Sequence, residues 1–272
     1  MKYLVSLLAA CAVTLSPSAV RAGEFDLSGG LSGFSSPGTL YGPWSDLSAT
    51  YRWNAGADTP SVTLVTRADQ DRLAPTHGNG VTVDDYHDWG PRFFTYAALG
   101  TASGDVLPTR NFYLEGDRKF GPQLDTVMGA GMGVVVNPNG IVQRYLNVGP
   151  SFYASGFNVT VRYLQTFTSG RTGTGTAIGT LQAGRTGKTL ATLTLLAGDQ
   201  PPNGFVEPTQ SALFGQRALF AGLAVKHWTS GAGGWLAGLE FERLTDRASG
   251  NPLYARRGLT LGIFRNIGAP LP

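Results

Sequence analysis

The feature that most limits what this chain can fold into is a two-residue alternation of apolar and polar side chains, sustained over segments of nine to thirteen residues. From Asp46 to Asn54 one face carries Leu47, Ala49, Tyr51 and Trp53, and the other Ser48, Thr50 and Arg52. From Leu124 to Val136 the residues Met128, Ala130, Met132 and Val134 alternate with Asp125, Gly129, Gly131 and Gly133. Phe157, Val159, Val161 and Tyr163 oppose Asn158, Thr160 and Arg162; Trp235, Ala237, Leu239 and Phe241 oppose Glu240 and Glu242. Leu259, Leu261 and Ile263 form another apolar face, and Asn111, Glu115 and Asp117 oppose Phe112 and Leu114. A period of two fits strands with unlike faces, and no long window holds a helical period. The chain is therefore expected to be all-β, with essentially no helix after its N-terminal segment.

Strand length then separates two architectures. A soluble β-sandwich alternates too, but its strands usually run five or six residues. Nine to thirteen is what a tilted strand needs to cross a bilayer. Only 14% of residues are charged and 38 are glycine, against roughly 25% charged in an ordinary soluble domain. The polar faces hold glycine and threonine beside isolated charges, which suits a narrow polar lumen. Aromatic residues gather at strand ends (Tyr41, Trp44, Trp53, Phe93, Phe94, Phe152, Tyr153, Trp228, Trp235, Tyr254), where a membrane-interface girdle is expected. The expectation is an antiparallel transmembrane β-barrel; a secreted β-sandwich binding module is the competing architecture.

The first 22 residues read as a secretory signal peptide. Lys2 supplies the positive start, Leu4 to Leu15 the apolar stretch, and Val20-Arg21-Ala22 the small-residue cleavage site. The barrel domain is then 23–272. Leu8-Ala9-Ala10-Cys11 resembles a lipobox, but the apolar stretch continues past the cysteine. Cys11 is the only cysteine, so the exported chain has no disulfide and no cysteine metal site. Without Lys2 and Arg21, the 21 basic residues fall to 19 against 18 acidic ones, a balance that implies no nucleic-acid partner. Export and a membrane barrel together place the chain in the outer membrane of a Gram-negative bacterium, with the lipid bilayer and the barrel-insertion machinery as partners.

Segments 25–35, 45–54, 60–68, 92–102, 108–118, 122–137, 141–149, 155–168, 174–185, 187–197, 213–228, 234–245 and 255–265 are the candidate strands. Thirteen conflicts with the even count of single-chain bacterial barrels. The long connections 36–44, 69–91, 198–212 and 246–254 are all external if the first strand leads outward and the last inward. The parity error then falls between 92 and 197, giving about 12 strands if one candidate is spurious, or 14 if one is hidden. Asn137-Pro138-Asn139-Gly140 is a tight turn.

From Thr95 onward the order of elements resembles the YaiO family of outer-membrane β-barrels. The resemblance is carried by Thr95-Tyr96-Ala97-Ala98-Leu99-Gly100, by Leu107-Pro108-Thr109-Arg110-Asn111-Phe112-Tyr113-Leu114-Glu115, and by the glycine-spaced stretch 124–136. Arg144-Tyr145 paired with Arg162-Tyr163, and then Leu193 to Gly198, continue it over residues 90 to 265. Two departures stand out. The chain ends beyond Phe264-Arg265 with Asn-Ile-Gly-Ala-Pro-Leu-Pro, leaving Arg256 to Phe264 as a displaced insertion signal, and 74–91 looks like an insertion in an external loop. The resemblance implies an integral outer-membrane protein whose relatives in part accompany surface-polysaccharide export. It carries no catalytic motif.

Few constellations could carry chemistry. His77 and His87 flank Asp84, Asp85 and Asp88 in the stretch read as a loop; their glycine-containing spacing gives no fixed geometry, so no metal site is expected. His227 precedes Ser230 by three residues at a strand end, which leaves a lipid-modifying barrel enzyme as an alternative. Gly170 to Gly187 lacks the Gly-Lys-Ser/Thr ending of a phosphate loop, and no cofactor is expected. Glu115, Asp117, Arg162, Glu240 and Glu242 fall on the polar side of their strands as candidate lumen-lining residues. Buried charges must pair or be hydrated, so they either plug the barrel with ion pairs or define a constriction. The expected function is non-enzymatic: a structural or narrow-conduit barrel tied to cell-envelope or surface-polysaccharide systems, with a small porin as a further alternative.

Overall fold

Alternation over this length yields long two-faced strands, and a sheet of them can satisfy every edge only by closing on itself. The computed structural model describes residues 23–35, 42–70, 76–168, 173–199 and 216–268; the predicted leader, Cys11 and Tyr41 lie outside them. Among the described residues there are fourteen strands and no helix: β1 (Gly23–Ser35), β2 (Trp44–Trp53), β3 (Asp58–Asp69), β4 (Thr76–Gly90), β5 (Phe93–Gly104), β6 (Arg110–Phe120) and β7 (Thr126–Val136). The second half is β8 (Val142–Ala154), β9 (Phe157–Thr168), β10 (Thr174–Arg185), β11 (Thr189–Asp199), β12 (Gln216–Ser230), β13 (Gly233–Asp246) and β14 (Pro252–Ile267). Each pairs antiparallel with its sequence neighbours, and β1 pairs with β14 from Gly23↔Ile267 to Ser35↔Ala255. The barrel is closed, which removes the sandwich from consideration.

The strand count is 14, not 12, and the hidden strand lies outside the interval to which parity pointed. Every one of the thirteen candidate segments is a strand. The missing one is β4, in the stretch read as an external loop and an insertion. Its mid-strand outward apolar signal is limited to Val81 and Val83, and apart from Tyr86 and Trp89 its other positions are glycine, aspartate, asparagine, histidine and threonine. Glycine, aspartate and asparagine are depleted in strands and common in turns. Tertiary pairing on both sides, to β3 and β5, overrides that local preference.

Registers show which face is which. Leu31, Leu259, Leu239, Leu223, Leu193, Leu181 and Val159 stand opposite one another in turn across seven consecutive strands, an unbroken apolar row. Leu31 is 67% exposed and Leu239 59%. So large an uncovered apolar surface belongs in lipid. The other face points inward, because its side chains meet across non-neighbouring strands: Arg162 on β9 reaches Glu115 on β6, and Lys226 on β12 reaches Glu24 on β1. Only the concave side of a closed sheet permits that contact.

Connections are short at the end holding both termini (54–57, 91–92, 121–125, 155–156, 186–188, 231–232) and longer at the other (36–43, 70–75, 105–109, 137–141, 169–173, 200–215, 247–251). In the predicted tight turn, the Gly140 N–H donates to the Asn137 carbonyl at 2.9 Å. Outward aromatics ring the terminal end: Trp53, Trp89, Phe93, Phe120, Phe152, Phe157 and Trp235. The girdle expected from sequence is half right. Trp44 and Tyr254 are buried, and Phe94 and Trp228 share the inward parity of their strands. A ring at a strand end is interfacial only if its parity points outward.

Candidate functional site in the barrel interior

Among the described residues, three ion-pair clusters occupy the interior at three heights. At mid-height, Arg162 Nη2 lies 2.8 Å from Glu115 Oε1 and 3.3 Å from Asp117 Oδ1, while Nη1 donates to the Gly149 carbonyl at 2.6 Å. Asn147 Nδ2 donates to Tyr113 Oη at 2.7 Å and to Glu115 Oε2 at 3.2 Å, and Tyr113 donates to Glu115 as well. The glycines of β7 explain how these long side chains fit. A Cβ on Gly129 would sit 2.3 Å from Asp117 Oδ1, 2.6 Å from Arg162 Nη2 and 2.8 Å from Glu115 Oε1. On Gly131 it would meet Asn147, and on Gly133 the Tyr145 ring. Three alternate inward glycines thus form a trough that the flanking strands fill with polar side chains.

Near the long-loop end, Arg256 Nε donates to Glu242 Oε2 at 3.0 Å, and its Nη2 lies 3.1 Å from Glu240 Oε2. Arg256 and Glu242 are both 2% exposed. Trp44 lies beneath two guanidinium groups, Arg67 at 5.4 Å and Arg256 at 5.5 Å from its ring centroid. Near the terminal end, Lys226 Nζ lies 2.5 Å from Glu24 Oε1, 3.3 Å from Asp26 Oδ1 and 4.2 Å from the Phe264 ring centroid.

The five residues singled out from sequence are therefore all inward, but they do not form one site. Glu115, Asp117 and Arg162 make the middle cluster; Glu240 and Glu242 converge on Arg256, nearer the long loops. Sequence reasoning missed Arg256, Lys226, Glu24 and Asp26. Parity could have aimed Glu24 and Asp26 inward, since they flank outward Phe25; Lys226 and Arg256 have polar outward neighbours in His227 and Arg257, which weakens the signal there. Which charges meet across the lumen depends on shear and closure, which no local pattern carries.

An apolar collar accompanies the upper charges. Val135, Tyr145, Leu164, Ile178, Leu196, Phe220, Leu244 and Tyr254, from β7 round to β14, pack as one buried cluster inside the barrel. The wall from β2 to β6 is left more open. A cavity of about 580 Å³ there is bounded by Asp46, Arg67, Tyr96, Leu107, Asn111 and Glu115. A second of about 490 Å³ lies against Asp26, Arg52, Ser61, Asp84 and Tyr86. The two share Thr63 and Tyr96. Leu107, in the 105–109 connection, is 4% exposed and tucks against Gly78 and Gly80 of β4.

His227 lies near a strand end as expected, whereas His77 and His87 are in a strand and not in a loop. His227 faces outward, with Nδ1 2.8 Å from Thr189 Oγ1 and its ring 5.3 Å from Trp235. Ser230 Oγ accepts from the Ala232 N–H at 3.2 Å, so the two are occupied separately, as members of the interface belt and of a turn. His87, Asp85 and Asp84 are not in a loop: Asp84 points inward and accepts from Ser61 Oγ at 2.6 Å, whereas Asp85 and His87 point outward beside Asp58.

Residues 25–203 match the family model of the YaiO membrane beta barrel domain. The matched span starts earlier than residue 90, includes β4, and stops short of the last three strands. No curated protein matches the chain in sequence. Solved structures of similar fold include the CymD monoaromatic hydrocarbon channel, with TM-score 0.62 and 7% identity over 92% of this chain and 90% of that one. The toluene transporter TbuX of Ralstonia pickettii gives TM-score 0.59 and 8% identity over 92% and 90%. The outer membrane protein Omp33 of Acinetobacter baumannii gives 0.50 and 10% over 90% and 99%. At such identities the likeness is one of fold.

Proposed function

The chain belongs to the YaiO membrane β-barrel family and is an outer-membrane β-barrel, and on that premise we propose that it is a narrow, non-enzymatic conduit for small polar solutes. The observation that carries this reading is the pair of interior cavities that meet at Thr63 and Tyr96 along the open β2–β6 wall. Tyr96 stands at the waist of that lane, and Leu107 at its long-loop mouth. The collar fills the opposite side, and the ion pairs, in which Glu115 and Asp26 also border the lane, brace its edges, so passage is confined to one side. Asp46 and Asp84 alternate with Arg52 and Arg67 along the lane, so it offers partners to solutes of either sign.

The longer connections face the cell exterior in this reading, following the asymmetry of outer-membrane barrels. The leader 1–22 directs export, and the outward Leu259, Leu261 and Ile263 of β14 serve the insertion machinery. Association with surface-polysaccharide export rests on the family resemblance, and co-purification from cross-linked envelopes tests it. For the conduit, the refolded protein is placed in planar bilayers. Small single-channel steps are expected, with larger ones for Tyr96→Ala and for Leu107→Ala. Silent bilayers for all three proteins would overturn the conduit and leave a plugged, structural barrel.

A further inference from the structure

We infer that Asp58, Asp85 and His87 form a divalent transition-metal site, of the kind that takes Zn²⁺, on the outer face of the barrel at its terminal rim. Asp58 and His87 stand directly opposite each other on β3 and β4, and Asp85 lies two residues from His87 on the same face. One ligand atom from each of the three lies within 4.8 Å of the others. His87 Nδ1 contacts Asp58 Oδ1 directly. Asp85 Oδ1 is buried with no hydrogen-bond partner. His87 packs 4.2 Å from Trp89, whose 64% exposure places the group in the aromatic girdle.

The chemistry of this set favours a cation. The mid-strand outward positions of β3 and β4 carry Val62, Leu64, Val81 and Val83, so two carboxylates beside them at the rim break the apolar run. Adjacent carboxylates near a low-dielectric boundary repel, and a divalent cation between them offsets both charges. An imidazole beside two carboxylates suits Zn²⁺ and its first-row neighbours, whereas Mg²⁺ and Ca²⁺ prefer oxygen alone. Three protein ligands leave a coordination position for water or a headgroup oxygen. Bound there, the ion ties two strands 29 residues apart at the rim where no turn joins them.

The test uses full-length mature protein without a histidine tag, refolded in detergent micelles and stripped with a chelator. Calorimetric titration with Zn²⁺, and Co²⁺ absorption as a geometric probe, are expected to give one site per chain and no comparable Mg²⁺ binding. His87→Ala and Asp85→Asn should each weaken Zn²⁺ by at least roughly tenfold, since even outer-shell changes cost that much. His77→Ala, on the same face of β4 but at the opposite end, should bind as the parent does. Retained heat-modifiable migration shows that a variant is folded; should His87→Ala not fold, Asp58→Asn replaces it. Absence of Zn²⁺ binding by the parent, or undiminished binding by the folded variants, overturns the site.

Discussion

Arg256 and Arg162 show how single residues set the interior. Each is held by two carboxylates on the concave wall. Removing one partner of a buried pair leaves an uncompensated charge and costs about 3–5 kcal/mol. Arg256→Ala, with Glu242 sealed at 2% exposure, should therefore lower the urea midpoint of the refolded barrel more than Arg247→Ala, whose Asp199 pair is at the exposed rim. Gly129→Ala tests the trough from the other side. Its Cβ would fall within 2.3 Å of Asp117 Oδ1, so the middle cluster must shift, and a lower unfolding midpoint is expected. Parity along each strand made Glu115, Asp117, Arg162, Glu240 and Glu242 legible as inward residues. Their grouping into two separate clusters was not, because the Arg162 cluster depends on contacts three strands away and the Arg256 cluster on the register between β13 and β14.

Among the elements, β4 is the instructive one. Its pairing with β3 and β5 makes it a strand despite a sequence of glycines, aspartates and histidines. Cysteine substitutions read this directly. A water-soluble thiol reagent should reach Cys at Thr82 or Asp84 through the lumen and fail to reach Cys at Val81 or Val83 in lipid. Uniform labelling along the segment would return it to a loop. The outward row through Leu223, Leu239 and Leu259 is the complementary case. Leu239→Arg sets a charge at mid-strand on the lipid face, where it costs about 2–4 kcal/mol, and a matching loss of stability in lipid vesicles is expected. The thirteen recognised strands were legible because apolar residues recur along their outward faces; β4 has too little apolar face to announce itself.

The whole molecule is closed by β1 and β14, from opposite ends of the described chain. Closure leaves no free edge, and barrels of this kind resist detergent until heated. Unboiled protein should therefore migrate apart from boiled protein on detergent gels, and the native band should fractionate with outer membranes. A single heat-insensitive band would contradict the closed barrel. The interior is divided unevenly: the collar crowds the wall from β7 to β14, ion pairs tie that wall to β6 and β1, and the cavities lie along β2 to β6. That asymmetry makes Tyr96 and Leu107 the positions where conductance should respond.

The sequence by itself determined the all-β class, the lipid-facing rows and the inward aim of the candidate charges. All of these follow from a local period of two, which the free-energy cost of exposing apolar surface to water enforces strand by strand. Strand number, the inward placement of Trp44 and Tyr254, the partners of Arg162, Arg256 and Lys226, and the meeting of Asp58 with Asp85 and His87 were decided only by tertiary structure. Each depends on which strands become neighbours and how far apart a closed, sheared wall brings their faces, and that geometry exists only once the chain has paired its last strand with its first.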